Sequence, residues 1–210
     1  MNLAGRSLTE FVHDLAGDAP APGGGSAAAY AGAMAAALAA MVARLTVAKA
    51  NDAQARARLE AVIAAADPLA ARFLALVDAD SAAYNQVAAA FKLPKADPAQ
   101  QTERSRAIQR ALQHAAEVPL DTLAAAAGLA RLLGTVVADG NPNCISDAGS
   151  AVHLCRAGAH AAACNVRINL AAIRDGAFVE ACGRSAQRLL EGVEGALAPL
   201  EKAVAAKLAG

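Results

Sequence analysis

The chain has 210 residues, 56% of them hydrophobic, with 19 Lys and Arg balanced by 19 Asp and Glu, 3% aromatic residues and no Trp. One sizeable core can be buried by such a chain, and the shortage of rings leaves Ala, Leu and Val to build it, which favours close helix approach. The neutral balance, with no Lys/Arg block and no interleaved aromatics, excludes the electrostatic footprint of a nucleic-acid-binding protein.

Taken in chain order, the first predicted helix covers 7–17. Glu10 and Asp14 fall inside its apolar period, which a signal peptide's hydrophobic region would not tolerate, so no export is expected. Glu10 and His13 form a single ExxH, whereas a di-iron carboxylate bundle needs two such motifs and further Glu residues; no metal is expected. The second helix, 25–50, carries no charge from Ser26 to Ala43. That is about the length of a membrane span, but alanine contributes little to insertion. Gly32, Ala36 and Ala40 recur at every fourth position, the spacing that lets two backbones approach, so a central buried helix is predicted rather than a membrane segment.

Further helices are predicted over 52–66, 68–91, 98–117, 119–138, 145–173 and 175–208, with Pro68, Pro98 and Pro119 near helix starts. The only short alternating run is "NVRINL" at 165–170, so the expected fold is all-α: a single-domain helical bundle over 1–210 with long Ala-rich central helices. No linker, low-complexity block or internal repeat divides it. Cys144, Cys155, Cys164 and Cys182 form no CxxC pair and read as small buried thiols in a reducing cytoplasm.

Three stretches set polar groups against this pattern. The first is "APGGGSAAAY", where Gly23, Gly24 and Gly25 precede the apolar helix. A helix start has about four unpaired N–H groups and the positive end of its dipole, and glycines with Ser26 would let an anion or a polar ligand edge reach them. The segment is neither a P-loop nor a dinucleotide fingerprint. A flexible turn with Ser26 as N-cap is the equally open alternative.

The second is Asp80. Phe73, Val77, Tyr84, Val87 and Phe91 mark one helical stripe, and Asp80 stands in its gap, which puts a carboxylate on the buried face. Such a group is either neutralised by hydrogen bonds or serves a cleft. Asp78 lies off the stripe and reads as solvated.

The third is "ADGNPNCISDAGS", 138–150, where Asn141 and Asn143 sit in a tight turn and Ser146 and Asp147 open the next helix. The alternative there is an ordinary turn with Asn143 or Ser146 as N-cap. Asn165 and Asn169, four apart, share a helix face and could support a ligand or cap a neighbour. His153, Arg156 and His160 fall on the side away from Val152, Cys155 and Ala159 and read as a solvated face. No nucleophile–histidine triad is discernible.

"FVHDLAGDAPAPGGGSAAAYAGAMAAALAAMVARLT", "LVDADSAAYNQVAAAFKLPK", "EVPL" and "GNPNCISDAGSAVHLCRAGAHAAACNVRINL" resemble, in the same order, the cyclodeaminase/cyclohydrolase family of folate enzymes. That family includes the C-terminal domain of formiminotransferase-cyclodeaminase and stand-alone bacterial methenyltetrahydrofolate cyclohydrolases. The resemblance runs from about Ser7 to Asp175 and implies an all-helical homodimer with folate in a cleft and no metal or redox cofactor. Asp80 matches the family's catalytic carboxylate. Gly23, Gly24, Gly25 and Ser26 match its glycine turn, Lys95 its Leu-Pro-Lys loop, Asn141, Asn143, Ser146 and Asp147 its Asn-Ser-Asp segment, and Asn165 and Asn169 its Asn-Val-x-Ile-Asn motif. Cys144, His153, His160 and Arg167 match nothing in it.

What the resemblance implies is hydrolysis of 5,10-methenyltetrahydrofolate to 10-formyltetrahydrofolate. The alternatives are cyclodeamination of 5-formiminotetrahydrofolate and a non-catalytic helical dimer that binds folate or another anion. The formiminotransferase domain of the fused enzymes has no counterpart in this sequence, so this chain is expected to lack that transferase activity, which favours the cyclohydrolase and leaves a separate formiminotransferase open as a partner.

Overall fold

The computed structural model describes residues 2–49 and 52–209. Its elements are α1 (Leu8–Leu15), α2 (Gly24–Val47), α3 (Ala53–Phe91), α4 (Pro98–Asp139), a 3-10 turn (Pro142–Cys144), α5 (Ile145–Leu170) and α6 (Gly176–Ala209). All regular structure among the described residues is helical, as the alanine-rich periodicity requires. "NVRINL" is the last turn and a half of α5, not a strand. Ala50, the expected end of the second helix, lies outside the described residues.

Two expected breaks do not occur. The segments 52–66 and 68–91 form one helix through Pro68, and 98–117 and 119–138 form one helix through Pro119. Only Pro98 begins a helix, behind an Asp97 side chain that accepts from Gln100 N at 2.8 Å. An interior proline removes one helical hydrogen bond and costs about 3 kcal/mol in an isolated helix. Pro119 is itself buried with Ala116, Val118 and Leu123, whereas Pro68 lies on the exposed side of α3 with Val62, Ala66 and Phe73 of the neighbouring turns buried, and the packing of those turns outweighs the local preference.

Helix α2 is the centre of the bundle and touches α3, α4 and α5. Gly32, Ala36 and Ala40 are all buried, as their spacing predicts. A Cβ at Gly32 would overlap the ring of Phe73, the largest fully buried side chain, and a Cβ at Gly158 of α5 would stand 2.9 Å from the Ala28 carbonyl. Small residues therefore decide the spacing on both sides of α2. By length and composition α2 and α4 could each cross a membrane, but most of the apolar window of each is covered within the bundle.

Several surface expectations are corrected by packing. Cys144, Cys155 and Cys182 are buried, and burial pushes the Cys155 thiol up to about 12, but Cys164 is exposed. Asp78 is half-buried and accepts Leu3 N at 2.6 Å, tying the N-terminal segment to α3. His153 and His160 are exposed, as expected, whereas Arg156 is half-buried because α6 lies over that side of α5. Arg156 grips both oxygens of Glu194, at 2.9 and 2.7 Å, and pairs with Glu201, while His160 Nε2 lies 2.8 Å from Glu194 and His153 Nδ1 3.3 Å from Glu201. Glu10 belongs to the α1 capping box with Ser7 rather than to any metal ligand set.

Candidate active site

The start of α2 is capped by Gly23 in an extended conformation with no side-chain cap bond. Ser26 is therefore not the N-cap. It sits in the first turn, fully buried, and its hydroxyl points to α3: Asp80 Oδ2 lies at 2.9 Å, Val77 O at 3.1 Å and Ser81 Oγ at 3.2 Å. The single Ser26 proton serves either Asp80 or the Val77 carbonyl, and the Ser81 hydroxyl supplies the complementary donor.

Asp80 lies against this turn so closely that a Cβ on Gly25 would overlap its Oδ1. The third glycine is thus required by contact with the carboxylate rather than by flexibility. At Gly24 a Cβ would meet Asn165 Nδ2 at 3.3 Å. The glycine run allows one helix start to be approached by α3 and α5 together.

Burial pushes the Asp80 carboxyl above its usual range, and hydrogen bonding from the Ser26 hydroxyl and backbone amide pulls it partly back. The positive end of α2 acts in the same direction as Ser26. The outcome is a carboxyl that holds its proton to higher pH than an exposed aspartate yet keeps two donors ready for its charged form.

Asp80 faces a cleft of about 260 Å³ lined by Pro20, Ala21, Gly23, Gly24, Gly25, Asp80, Ala83, Tyr84, Val87, Leu112, Ala115, Asn165 and Asn169. Asn165 Nδ2 donates to Ala161 O at 2.8 Å and Asn169 Nδ2 donates to Ala115 O at 2.6 Å. Each amide is held by a main-chain carbonyl, and its oxygen and second N–H remain for a ligand. Among the described residues no group of His, Cys, Asp and Glu could hold a metal ion.

Five of the expected site residues thus meet Asp80 in one cleft: Gly23, Gly24, Gly25, Asn165 and Asn169, with Ser26 behind it. The others do not. Lys95 is exposed on the α3–α4 connection. Asn141 donates its N–H to Thr46 Oγ1 at 2.9 Å and caps Asn143 N at 3.0 Å, so Asn141 rather than Asn143 or Ser146 is the turn's capping residue. That contact places Asn141, Asn143, Ser146 and Asp147 at the far end of α2, about 33 Å of helix rise from Gly24.

Sequence reading missed Ala83, Tyr84, Val87, Leu112 and Ala115 as cleft residues. The first three lie three, four and seven positions after Asp80, on the stripe already recognised, and could have been found there. Leu112 and Ala115 had no signal, because α4 is brought to α3 only by tertiary packing.

Residues 7–188 match the family described as formiminotransferase-cyclodeaminase. The chain is 39% identical to a methenyltetrahydrofolate cyclohydrolase of Methylorubrum extorquens over 93% of its own length and 91% of that protein. It is 35% identical to the formimidoyltransferase-cyclodeaminase of Gallus gallus over 90% of its length but spans only 35% of that protein. Its fold matches the crystal structure of a formiminotetrahydrofolate cyclodeaminase from Thermotoga maritima with a TM-score of 0.87 at 30% identity, covering 97% of this chain and 98% of that one. With the profile match extending from α1 into α6, this chain belongs to the formiminotransferase-cyclodeaminase family.

Proposed function

We propose that the chain, acting as one domain, is a methenyltetrahydrofolate cyclohydrolase and that Asp80 is its general acid and base. The observation that carries this reading is the half-buried Asp80 carboxyl at the cleft floor, raised by burial and held by Ser26. Water adds to the cationic carbon bridging nitrogens 5 and 10, and Asp80 takes one of its protons. As the bond from carbon to nitrogen 5 breaks, Asp80 returns that proton to nitrogen 5. The second water proton leaves as the hydroxyl becomes the formyl carbonyl, giving 10-formyltetrahydrofolate. General acid–base catalysis of this kind contributes about 100- to 10,000-fold. The free amides of Gly24 and Gly25 and the polar edges of Asn165 and Asn169 hold the substrate, and Lys95 is a candidate for its outer end.

Two similarities favour different members of one chemistry. The Methylorubrum relative, matched over 91% of its length, carries the cyclohydrolase name, and the Thermotoga fold neighbour the cyclodeaminase name. In the cyclodeaminase reaction nitrogen 10 attacks the formimino carbon and ammonia leaves, with the same carboxyl moving the protons. The test follows the absorbance of 5,10-methenyltetrahydrofolate with and without enzyme, beside an assay started from 5-formiminotetrahydrofolate. Accelerated methenyl loss that disappears in Asp80→Asn supports the proposal; methenyl accumulation from the formimino compound replaces it with the cyclodeaminase.

A homodimer belongs to the same reading. Met34, Leu38, Met41 and Leu45 follow one another at four, three and four residues on the outer side of α2, with Met34, Met41 and Leu45 exposed. This is the spacing of a helix–helix seam. Antiparallel pairing along it would carry the Asn141 turn of one subunit toward the cleft end of the other, which is how Asn141, Asn143, Ser146 and Asp147 would enter the site.

A further inference from the structure

Ser81 follows Asp80 directly in α3, but it is buried and does not line the cleft. Among the described residues its one hydrogen-bond partner is Ser26 Oγ, at 3.2 Å. Ser26 is fully buried as well and has two further oxygens within reach, Asp80 Oδ2 at 2.9 Å and the Val77 carbonyl at 3.1 Å. A carboxylate and a carbonyl only accept, so the two serine protons must serve this whole group.

Counting donors and acceptors fixes the direction of the bonds. If Ser26 donated to Ser81, the buried Ser81 proton would have no acceptor and Asp80 would lose its hydroxyl donor, both of which are costly. Ser81 therefore donates to Ser26, and the Ser26 proton is left to choose between Asp80 and the Val77 carbonyl. An ionised Asp80 takes it over the shortest of the three contacts. A protonated Asp80 can instead donate from Oδ2 to the second lone pair of Ser26, whose own proton turns to the Val77 carbonyl. Every hydroxyl proton keeps an acceptor in both states, so the carboxyl can change its charge without breaking the network around it.

We propose that Ser81 is a positioning residue of the reaction, orienting the Ser26 hydroxyl so that it follows the charge of Asp80. This rests on the acid–base reading above, in which the Asp80 carboxyl gains and loses a proton in each turnover. By donating to Ser26, Ser81 strengthens the bond that Ser26 gives to the carboxylate and so favours the charged form. No charged side chain competes for that role. Tyr84 is the one other titratable group lining the cleft, α2 carries no charge from Ser26 to Ala43, and α4 and α5 present only Leu112, Ala115, Asn165 and Asn169 there. Asp78, on the same helix, is engaged by Leu3 N.

The test titrates Asp80 directly, by carbon NMR of labelled aspartate carboxyls, with its resonance assigned by its loss in Asp80→Asn. Ser81→Ala should raise the proton affinity of Asp80 about two-fold and Ser26→Ala about ten-fold, because the second removes the donor itself and the first only its support. Adding Ser81→Ala to Ser26→Ala should change the titration no further, since Ser81 acts through Ser26 alone. A titration that Ser81→Ala leaves unmoved, as expected of a serine needed only for packing, overturns the proposal. So does an equal displacement in the presence and absence of the Ser26 hydroxyl. Turnover is measured separately: an Asp80 titration that depends on Ser81 through Ser26, in a protein that turns over neither folate substrate, overturns the catalytic reading and leaves the serine pair standing.

Discussion

Asn169 donates from Nδ2 to the Ala115 carbonyl at 2.6 Å, and Ala115 is the residue four before Pro119, whose ring nitrogen has no hydrogen to give it. The proline that fails to end α4 thus leaves a buried acceptor in the cleft wall, and α5 supplies the missing donor. A chain feature that reads as a helix boundary becomes a link between two helices of the site.

Truncation of Asn169 to Ala should therefore cost about 1–2 kcal/mol, because a buried carbonyl loses its partner. In a Pro119→Ala background the new N–H of residue 119 takes that carbonyl, and the same truncation should cost under about 0.5 kcal/mol. Denaturant unfolding of the four proteins measures the coupling; equal costs in both backgrounds would remove the link.

Replacing Asp80 by Asn should lower turnover by about 100-fold or more and raise the melting temperature at neutral pH. The sign follows from the raised carboxyl. Below the ordinary value of 3.8 both the folded and unfolded chains carry a protonated Asp80. As pH rises toward the folded value the unfolded chain ionises first, so the native protein loses stability over that window and the deficit persists above it. The advantage of the Asn variant should accordingly close as pH is lowered to that range, in thermal melts of the two proteins side by side.

Ser26→Ala removes a donor that favours the charged carboxylate, so the acid limb of the rate profile should move to higher pH. Gly25→Ala acts by contact: its Cβ overlaps Asp80 Oδ1 and should reduce turnover about 100-fold by displacing the carboxyl. Rate profiles across the pH range distinguish the two, since the first variant shifts the limb and the second lowers the plateau.

At Gly32 the obstruction is Phe73. Gly32→Ala should destabilise the bundle by about 1–3 kcal/mol through overpacking, and Phe73→Leu in the same chain should recover part of it. Additive losses in unfolding experiments would show that the two side chains do not compete for one space.

If the seam on α2 forms the dimer, Met34→Glu with Met41→Glu should yield a monomer by light scattering. Mixed subunits carrying Asp80→Asn and Asn143→Ala should then regain activity that neither homodimer has. A monomeric wild type, or no recovery on mixing, removes the second subunit from the site.

By itself the sequence determined the all-helical class, through alanine-rich period 3.6; the close packing of α2, through Gly32, Ala36 and Ala40; and the oddity of Asp80, through its place on an apolar stripe. Those properties are local, because a helix repeats every few residues and its faces can be read along the chain. Only the tertiary structure decided that α3 and α4 run through Pro68 and Pro119, since packing on both flanks outweighs one missing hydrogen bond. It likewise decided that Gly25 makes room for a carboxylate, that Arg156 is covered by α6, and that the Asn141 turn stands at the opposite end of α2 from Asp80. Contacts between residues on different helices depend on which helices meet and at what distance, and no periodicity within one helix carries that information.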